Sequence, residues 1–195
     1  GMPAVVVGDP AFAAGRPAVG SDDARAARAA VEKMAALGHR RIAHIGGPER
    51  FVHSRIRSEA IAAAAADQGI AVVAEVPTSY TLDEGAAACE RFLTMADRPT
   101  AIICDNDLTA LGAARAAMAA GVPVPGQLSI LAWDDSPLCQ LTDPPLSALG
   151  RDVSAYGAAA ARTLLAIVKG GDAESDDASS VATLVDRGSL ATAPA

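Results

Sequence analysis

The sequence predicts an α/β fold, a mostly parallel sheet flanked by helices, and three observations carry the prediction. Short β-branched apolar runs alternate with Ala-rich stretches long enough for helices, with Gly, Pro or Asp at the joints. The apolar runs are continuous rather than alternating, as in strands covered on both faces. Ala supplies about a quarter of the 195 residues and is the strongest helix former, so helices are favoured wherever no strand pattern competes.

In chain order, Ala4 to Val7 reads as the first strand. A helix follows over about Asp23 to Leu37, with Ser21-Asp22 at its cap and Gly38 just past its end. Arg41 to Ile45 is the next strand, and a helix from about Ser54 to Asp67 closes at Gly69. Ile70 to Val76 is again extended. Thr81 with Glu84 three residues on has capping-box spacing and opens a helix over about Leu82 to Ala96. Ala101 to Cys104 is a strand. The helix after it, from Asp107 or Leu108 to Ala120, is stopped by Gly121 with Pro123 and Pro125 beyond. Ser129 to Trp133 is the last strand of this rhythm. Asp134 to Pro145 is polar and Pro-rich, hence a loop, and Leu146 to Leu149 is a short extended piece. A helix over about Val153 to Lys169, an acidic loop from Gly170 to Ser180, a strand from Val181 to Asp186 and a tail complete the reading.

Composition removes several classes of function. A net charge of −7, a pI near 4.9 and scattered Lys and Arg argue against nucleic acid binding by this surface. Cys89, Cys104 and Cys139 stand apart without CxxC or His spacing, so reduced cytosolic thiols are expected and neither disulfides nor a metal. No apolar run reaches the roughly 18 residues of a membrane span, and no signal-like segment opens the chain. Gly1 ahead of Met2 reads as a tag-removal scar. A cytoplasmic protein is expected.

Enzyme signatures are poor. Neither GxGxxG nor GxxxxGK[ST] is present, no GxSxG elbow occurs, and His39, His44 and His53 have no obvious Ser or Cys partner in a catalytic motif, which leaves a triad to spatial accident alone. Gly46-Gly47 after a strand reads as a turn rather than an anion site. The carboxylates around Asn106 and at Asp134-Asp135 resemble metal ligands only superficially. Asp105 or Asp107, or else Asn106, is expected to cap the helix beginning near Leu108, and Asp135 to start a turn. No cofactor is implied.

One placement does point to chemistry. Asp9, Asn106 and Asp134 each fall at or just beyond the carboxyl end of a predicted strand, where open α/β sheets bind ligands. A carboxylate, an amide and an arginine converging there suit a polyhydroxylated molecule, with an indole against its apolar face.

The order of motifs resembles a known family. Gly38-His39-Arg40-Arg41-Ile42-Ala43 with Ile45-Gly46-Gly47 is similar to the "GHrrIa" signature of the LacI/GalR regulators. Arg55-Ile56-Arg57 resembles the arginine that opens their next helix. Ala101-Ile102-Ile103-Cys104-Asp105-Asn106-Asp107 with Ala110-Leu111-Gly112 resembles their "nD-x-mAlG" segment. Gly121-Val122-Pro123-Val124-Pro125 and Leu128-Ser129-Ile130-Leu131-Ala132-Trp133-Asp134-Asp135 resemble "G-x-x-vP-x-disvvGfDd". Pro144-Pro145-Leu146, Arg151-Asp152 and Leu184-Val185-Asp186-Arg187-Gly188-Ser189 continue the series across nearly the whole chain.

The resemblance implies a periplasmic-binding-protein-like type I fold, its C-terminal subdomain complete and its N-terminal subdomain partial. Residues 1–20 would be a remnant of the N-terminal subdomain, 21–150 the effector-binding C-terminal subdomain, 151–180 a crossover helix and loop, and 181–195 a return strand and tail. It also implies that Arg57, Asn106 and Asp134 contact an effector, with Trp133 at a position where an aromatic is frequent, and with Asp9 and Arg151 on the N-terminal side. His39 and Arg187 read as structural. The implied partners are a small effector such as a sugar, a second copy in a homodimer, and operator DNA through a helix-turn-helix outside this segment. Exposed apolar faces on the 4–7 strand and the 153–169 helix are expected to favour dimerisation or local disorder. Ala60-Ile61, where the family has Gly and an aromatic, departs from the pattern and leaves the effector class open. Two alternatives remain: a transporter's solute-binding protein, and an enzyme on a doubly wound sheet.

Overall fold

The computed structural model describes residues 2–9, 13–171 and 181–194. The elements are β1 (Val6–Val7), β2 (Ala18–Val19), α1 (Asp23–Ala36), β3 (Arg41–Gly46), α2 (Val52–Asp67), β4 (Ala71–Pro77), α3 (Leu82–Leu93), β5 (Ala101–Cys104), α4 (Asp107–Ala119), β6 (Ser129–Trp133), a 3-10 turn (Pro137–Gln140), β7 (Ser147–Gly150), α5 (Val153–Val168) and β8 (Thr183–Val185). They fall into two compact units. Gly1–Asp23 with Arg151–Ala182 forms the first, and Ala24–Gly150 with Thr183–Ala195 the second.

The second unit is built on a six-stranded sheet in the order β4-β3-β5-β6-β7-β8. All pairings are parallel except β7 with β8. Short βα connections make this order the natural outcome, because each crossover helix returns the chain to the same end of the sheet. One face carries Ala43, Ile45, Ile102, Cys104, Ile130 and Ala132 against Ala86, Cys89 and Phe92 of α3 and Ala113 and Ala117 of α4. Residues of the other parity, Ile42, Ile103, Leu131 and Trp133, are just as buried, and α2 packs on β3 and β4. Both faces are covered, which is why the central strands read as unbroken apolar runs.

β4 departs from that reading. It is the sheet edge, and Val72, Val73 and Ala74 are only half-buried. The predicted capping box is present. Thr81 Oγ1 accepts from Glu84 N at 3.3 Å, while the Glu84 carboxylate accepts from Ser79 N at 2.7 Å. α2 begins at Val52, two residues earlier than its polar residues suggest, because Phe51 enters extended and contributes no side-chain cap. α3 ends at Leu93 rather than Ala96, where Thr94 Oγ1 turns back to Arg91 O.

α3 and α4 meet closely, through Gly85 and Gly112 inside the two helices. A Cβ on Gly112 would lie 2.0 Å from Leu82 O, and one on Gly85 would lie 2.3 Å from Thr109 O. Hydrogen in place of a side chain lets the two backbones approach.

The first unit, among its described residues, has β1 and β2 paired in parallel and α5 packed on β2. The first strand is two residues long rather than four, and its short partner Ala18–Val19 carries too little pattern to be predicted. Tyr156 Oη donates to Val19 O at 3.1 Å. Val153, Leu165 and Val168 of α5 are exposed, as is Val7. The predicted acidic loop lies for the most part outside the described residues.

Candidate functional site

Three parallel strands of the second unit end in the residues that build the site. β3 runs into Gly46 and Gly47, β5 into Asp105 and Asn106, and β6 into Trp133 and Asp134. α2 starts a short loop after β3, and its second turn carries Arg57.

Arg57 is 7% exposed, and its guanidinium carbon lies 3.9 Å from the Trp133 ring centroid. Its Nη1 donates to the main-chain O of Asp105 at 3.0 Å. The cation faces the negative π surface of the indole, and the attraction grows as water is excluded. Trp133 is fully buried, and its Nε1–H has no acceptor among the described residues.

Asn106, not Asp105 or Asp107, caps α4. Its backbone is extended at φ −156° and ψ 172°, which returns the side chain over the first turn so that Oδ1 accepts from Thr109 N at 2.9 Å. Its Nδ2 donates to Tyr80 O at 3.3 Å. Asp105 turns inward instead, accepting from His44 Nε2 and Gly47 N at 3.0 Å each. Asp107 accepts from the Ser136 hydroxyl. The Gly47 amide therefore serves an internal carboxylate.

Asp134 is exposed at the end of β6, with φ 65° and its main-chain N donating to Leu149 O at 3.0 Å. Left-handed backbone costs a side-chain-bearing residue about 1–2 kcal/mol, and Asp is among the residues that tolerate it best.

Tyr80 is the neighbour that sequence did not single out. It too is left-handed, at φ 64°, and its hydroxyl meets His53 Nε2 at 2.9 Å and Ser54 Oγ at 3.0 Å. Burial raises its pKa above 10, and Asp105, Arg57 and Asp134 all act on it. Phe51, His53 and Tyr80 form a near-parallel group with ring centroids 5.4 to 6.5 Å apart. A Cβ on Gly47 would sit 2.0 Å from the Tyr80 hydroxyl, so the second glycine of the pair makes room for this ring. The available signal was positional: Phe51 and His53 follow β3 and Tyr80 follows β4, so all three leave the carboxyl end of neighbouring strands.

The other predicted site residues lie in the first unit. Asp9 is half-buried, two residues past β1, and Arg151 Nη2 donates to Asp23 Oδ1 at 3.2 Å. His39 and Arg187 hold the second unit together, as their sequence context suggests. His39 bonds Thr100 Oγ1 at 2.8 Å and Ala191 O at 3.1 Å, and Arg187 Nη1 donates to Leu146 O at 2.9 Å while Nη2 donates to Asp135.

All three cysteines are buried, and burial pushes Cys89 up to about 12 and Cys139 up to about 11, far from a neutral-pH thiolate. Among the described residues no group of three or more His, Cys, Asp or Glu side chains could hold a metal ion, and no helix is long and apolar enough to cross a membrane.

Comparisons with known proteins bear on the family and the fold. Residues 31–190 match the family profile described as a periplasmic binding protein-like domain. Over all of its length the chain is 37% identical to the HTH-type transcriptional regulator MalR of Streptomyces coelicolor, of which it covers 58%. It is 32% identical to the HTH-type transcriptional repressor CytR of Escherichia coli, over 91% of this chain and 53% of that one. Among solved structures, a LacI family transcriptional regulator from Bifidobacterium animalis superposes with a TM-score of 0.92 at 36% identity, covering 98% of this chain and 70% of that one. A dimeric Lac repressor gives 0.83 at 26%, covering 91% and 65%. The chain thus spans somewhat more than half the length of the curated relatives it matches.

Proposed function

The chain belongs to the LacI family of transcriptional regulators, and on that premise we propose that it is an effector-sensing segment. The effector is a small polar metabolite, a sugar or a similarly hydroxylated molecule. Arg57, Asn106 and Asp134 contact it from the second unit, and the buried Trp133 ring backs Arg57. The observation that carries the reading is the Arg57–Trp133 stack at the carboxyl ends of parallel strands, a donor fork and an apolar ring within one small volume. Asp134 accepts from hydroxyls, and Asn106 offers both kinds of group.

The longer protein works in the cytoplasm as a homodimer, and a helix-turn-helix outside this segment binds operator DNA. Effector binding changes operator affinity by favouring one of two conformations. An apolar cavity of about 570 Å³, lined by Leu111, Met118, Val122, Leu141 and Pro144, supports the reading that a second copy packs on this face. Met118 and Leu141 are 72% and 79% exposed beside it, which favours burial on association.

Thermal-shift screening of the full-length protein against neutral sugars and nucleosides tests the assignment. At least one compound raises the melting temperature, and Arg57→Ala or Asp134→Ala removes that gain. Stabilisation by no compound, or stabilisation that survives both substitutions, overturns it.

A further inference from the structure

We propose that His44 is a positioning residue for the site: as an imidazolium between Glu75 and Asp105, it fixes the carboxyl end of β5 and thereby holds Arg57 over Trp133. The proposal rests on the effector-site reading for its biological use, but not for its geometry.

The geometry fixes the charge state. His44 is 1% exposed, its Nδ1 lies 3.2 Å from Glu75 Oε1, and its Nε2 lies 3.0 Å from Asp105 Oδ1. A neutral imidazole has one donor and one acceptor, whereas ionised carboxylates only accept. Both ring nitrogens must therefore donate, and the ring carries a positive charge. Burial works against that charge, but the two carboxylates together outweigh it and hold the pKa up at about 9.

Asp105 transmits the constraint. Its side chain is fully buried, and one oxygen takes His44 while the other takes Gly47 N. Its main-chain N donates to Ile45 O at 2.9 Å, and its main-chain O accepts from Arg57. A single residue thus joins the imidazolium, the β3 turn and the guanidinium. Gly46 leaves room for the ring, since a Cβ there would lie 3.3 Å from His44 Cε1. Two carboxylates and two cations, Glu75, Asp105, His44 and Arg57, balance within the cluster. If His44 loses its proton, one carboxylate faces a lone pair instead of a donor, and the Asp105 side chain is buried away from solvent. Movement of Asp105 then takes its carbonyl from Arg57.

The groups facing His44 are Glu75 of β4 and Asp105 after β5. Ser58 of α2 bonds Glu75, and Glu49, Arg55 and Glu59 line a cavity of about 460 Å³ with it. Burial raises the Tyr80 pKa, away from that of His44.

Trp133 is the only tryptophan of the 195-residue chain, so its emission reports the guanidinium stacked on it. Two ligand-free measurements on this chain test the proposal, with circular dichroism confirming that it stays folded. Nitrogen-edited NMR shows His44 with both ring protons at pH 7, and Trp133 emission changes with a midpoint near pH 9. His44→Gln abolishes that step. Glu75→Gln, at the half-exposed end of the chain of charges, moves it down by about one pH unit. A neutral His44 at pH 7, or emission that is flat through pH 9 in the folded wild-type chain, overturns the proposal. So does a step that survives in His44→Gln, or one that Glu75→Gln leaves in place. Neither readout needs a sugar, so failure of the effector assignment remains a separate result.

Discussion

The Arg57 guanidinium sits 3.9 Å from the Trp133 ring centroid while donating to the Asp105 carbonyl. A planar, delocalised cation can do both at once, whereas a lysine ammonium presents a compact, strongly hydrated point charge. Arg57→Lys therefore keeps the charge and loses the arrangement. Cation–π and charged hydrogen-bond contributions of the usual size put the cost at about 2 kcal/mol in a denaturant melt. The same substitution shifts Trp133 emission at neutral pH. Unchanged stability together with unchanged emission would mean that the stack contributes nothing.

Asn106 serves as a helix cap, so its substitution affects stability before it affects binding. Asn106→Ala removes the acceptor for Thr109 N and costs about 1 kcal/mol. Asn106→Ser keeps a capping oxygen but gives up the amide that reaches Tyr80 O. The serine variant is expected to melt within a few degrees of wild type while its effector-induced thermal shift falls. If it retains the full shift, the amide has no part in recognition.

The mostly parallel character of the sheet and four of the helices were legible because their signals are local. The capping box at Thr81, the glycine stops and the unbroken β-branched runs each depend on a few neighbouring residues. The two-residue strands of the first unit have no such pattern. The carboxyl-end placement of Asn106 and Asp134 was legible too, since strand ends can be counted along the chain. Which group would be the cap was not, because Asp105, Asn106 and Asp107 have similar capping propensities and only the backbone angles separate them. Nor was the partnership of His44 with Glu75 and Asp105. Those residues lie 31 and 61 positions away in sequence, and meet only once β3 is placed between β4 and β5.

Gly112 and Gly157 are both helical and should respond in opposite directions to alanine. A Cβ on Gly112 would overlap Leu82 O at 2.0 Å, backbone that cannot move without separating α3 from α4. Overpacking of this kind costs about 1–3 kcal/mol, more than the gain of up to about 1 kcal/mol in helix propensity. Gly157 in α5 is exposed with nothing within 4 Å of its added carbon, so Gly157→Ala keeps that propensity gain. Equilibrium unfolding of the two variants beside wild type measures both signs. A neutral or stabilising Gly112→Ala would show that the helices do not meet through their backbones.

The His44 cluster also sets the direction in which stability changes with pH. The folded-state pKa of His44 is about 9, above its unfolded value near 6.5, so the folded chain binds one more proton between the two. The stabilisation is complete below pH 6.5, declines at about 1.4 kcal/mol per pH unit above it, and is gone beyond about pH 9. Glu75 acts at the other end. Its pKa is lowered, first by the His44 hydrogen bond, so its contribution is present above the ordinary glutamate range and disappears as pH falls through the lowered value. Urea unfolding midpoints from pH 4 to 10 should therefore fall steadily above pH 6.5, and His44→Gln should flatten that alkaline limb and also weaken the Glu75 contribution at the acid end, since His44 is the main cause of its lowered pKa. An alkaline limb as steep in His44→Gln as in wild type would assign the proton to another group.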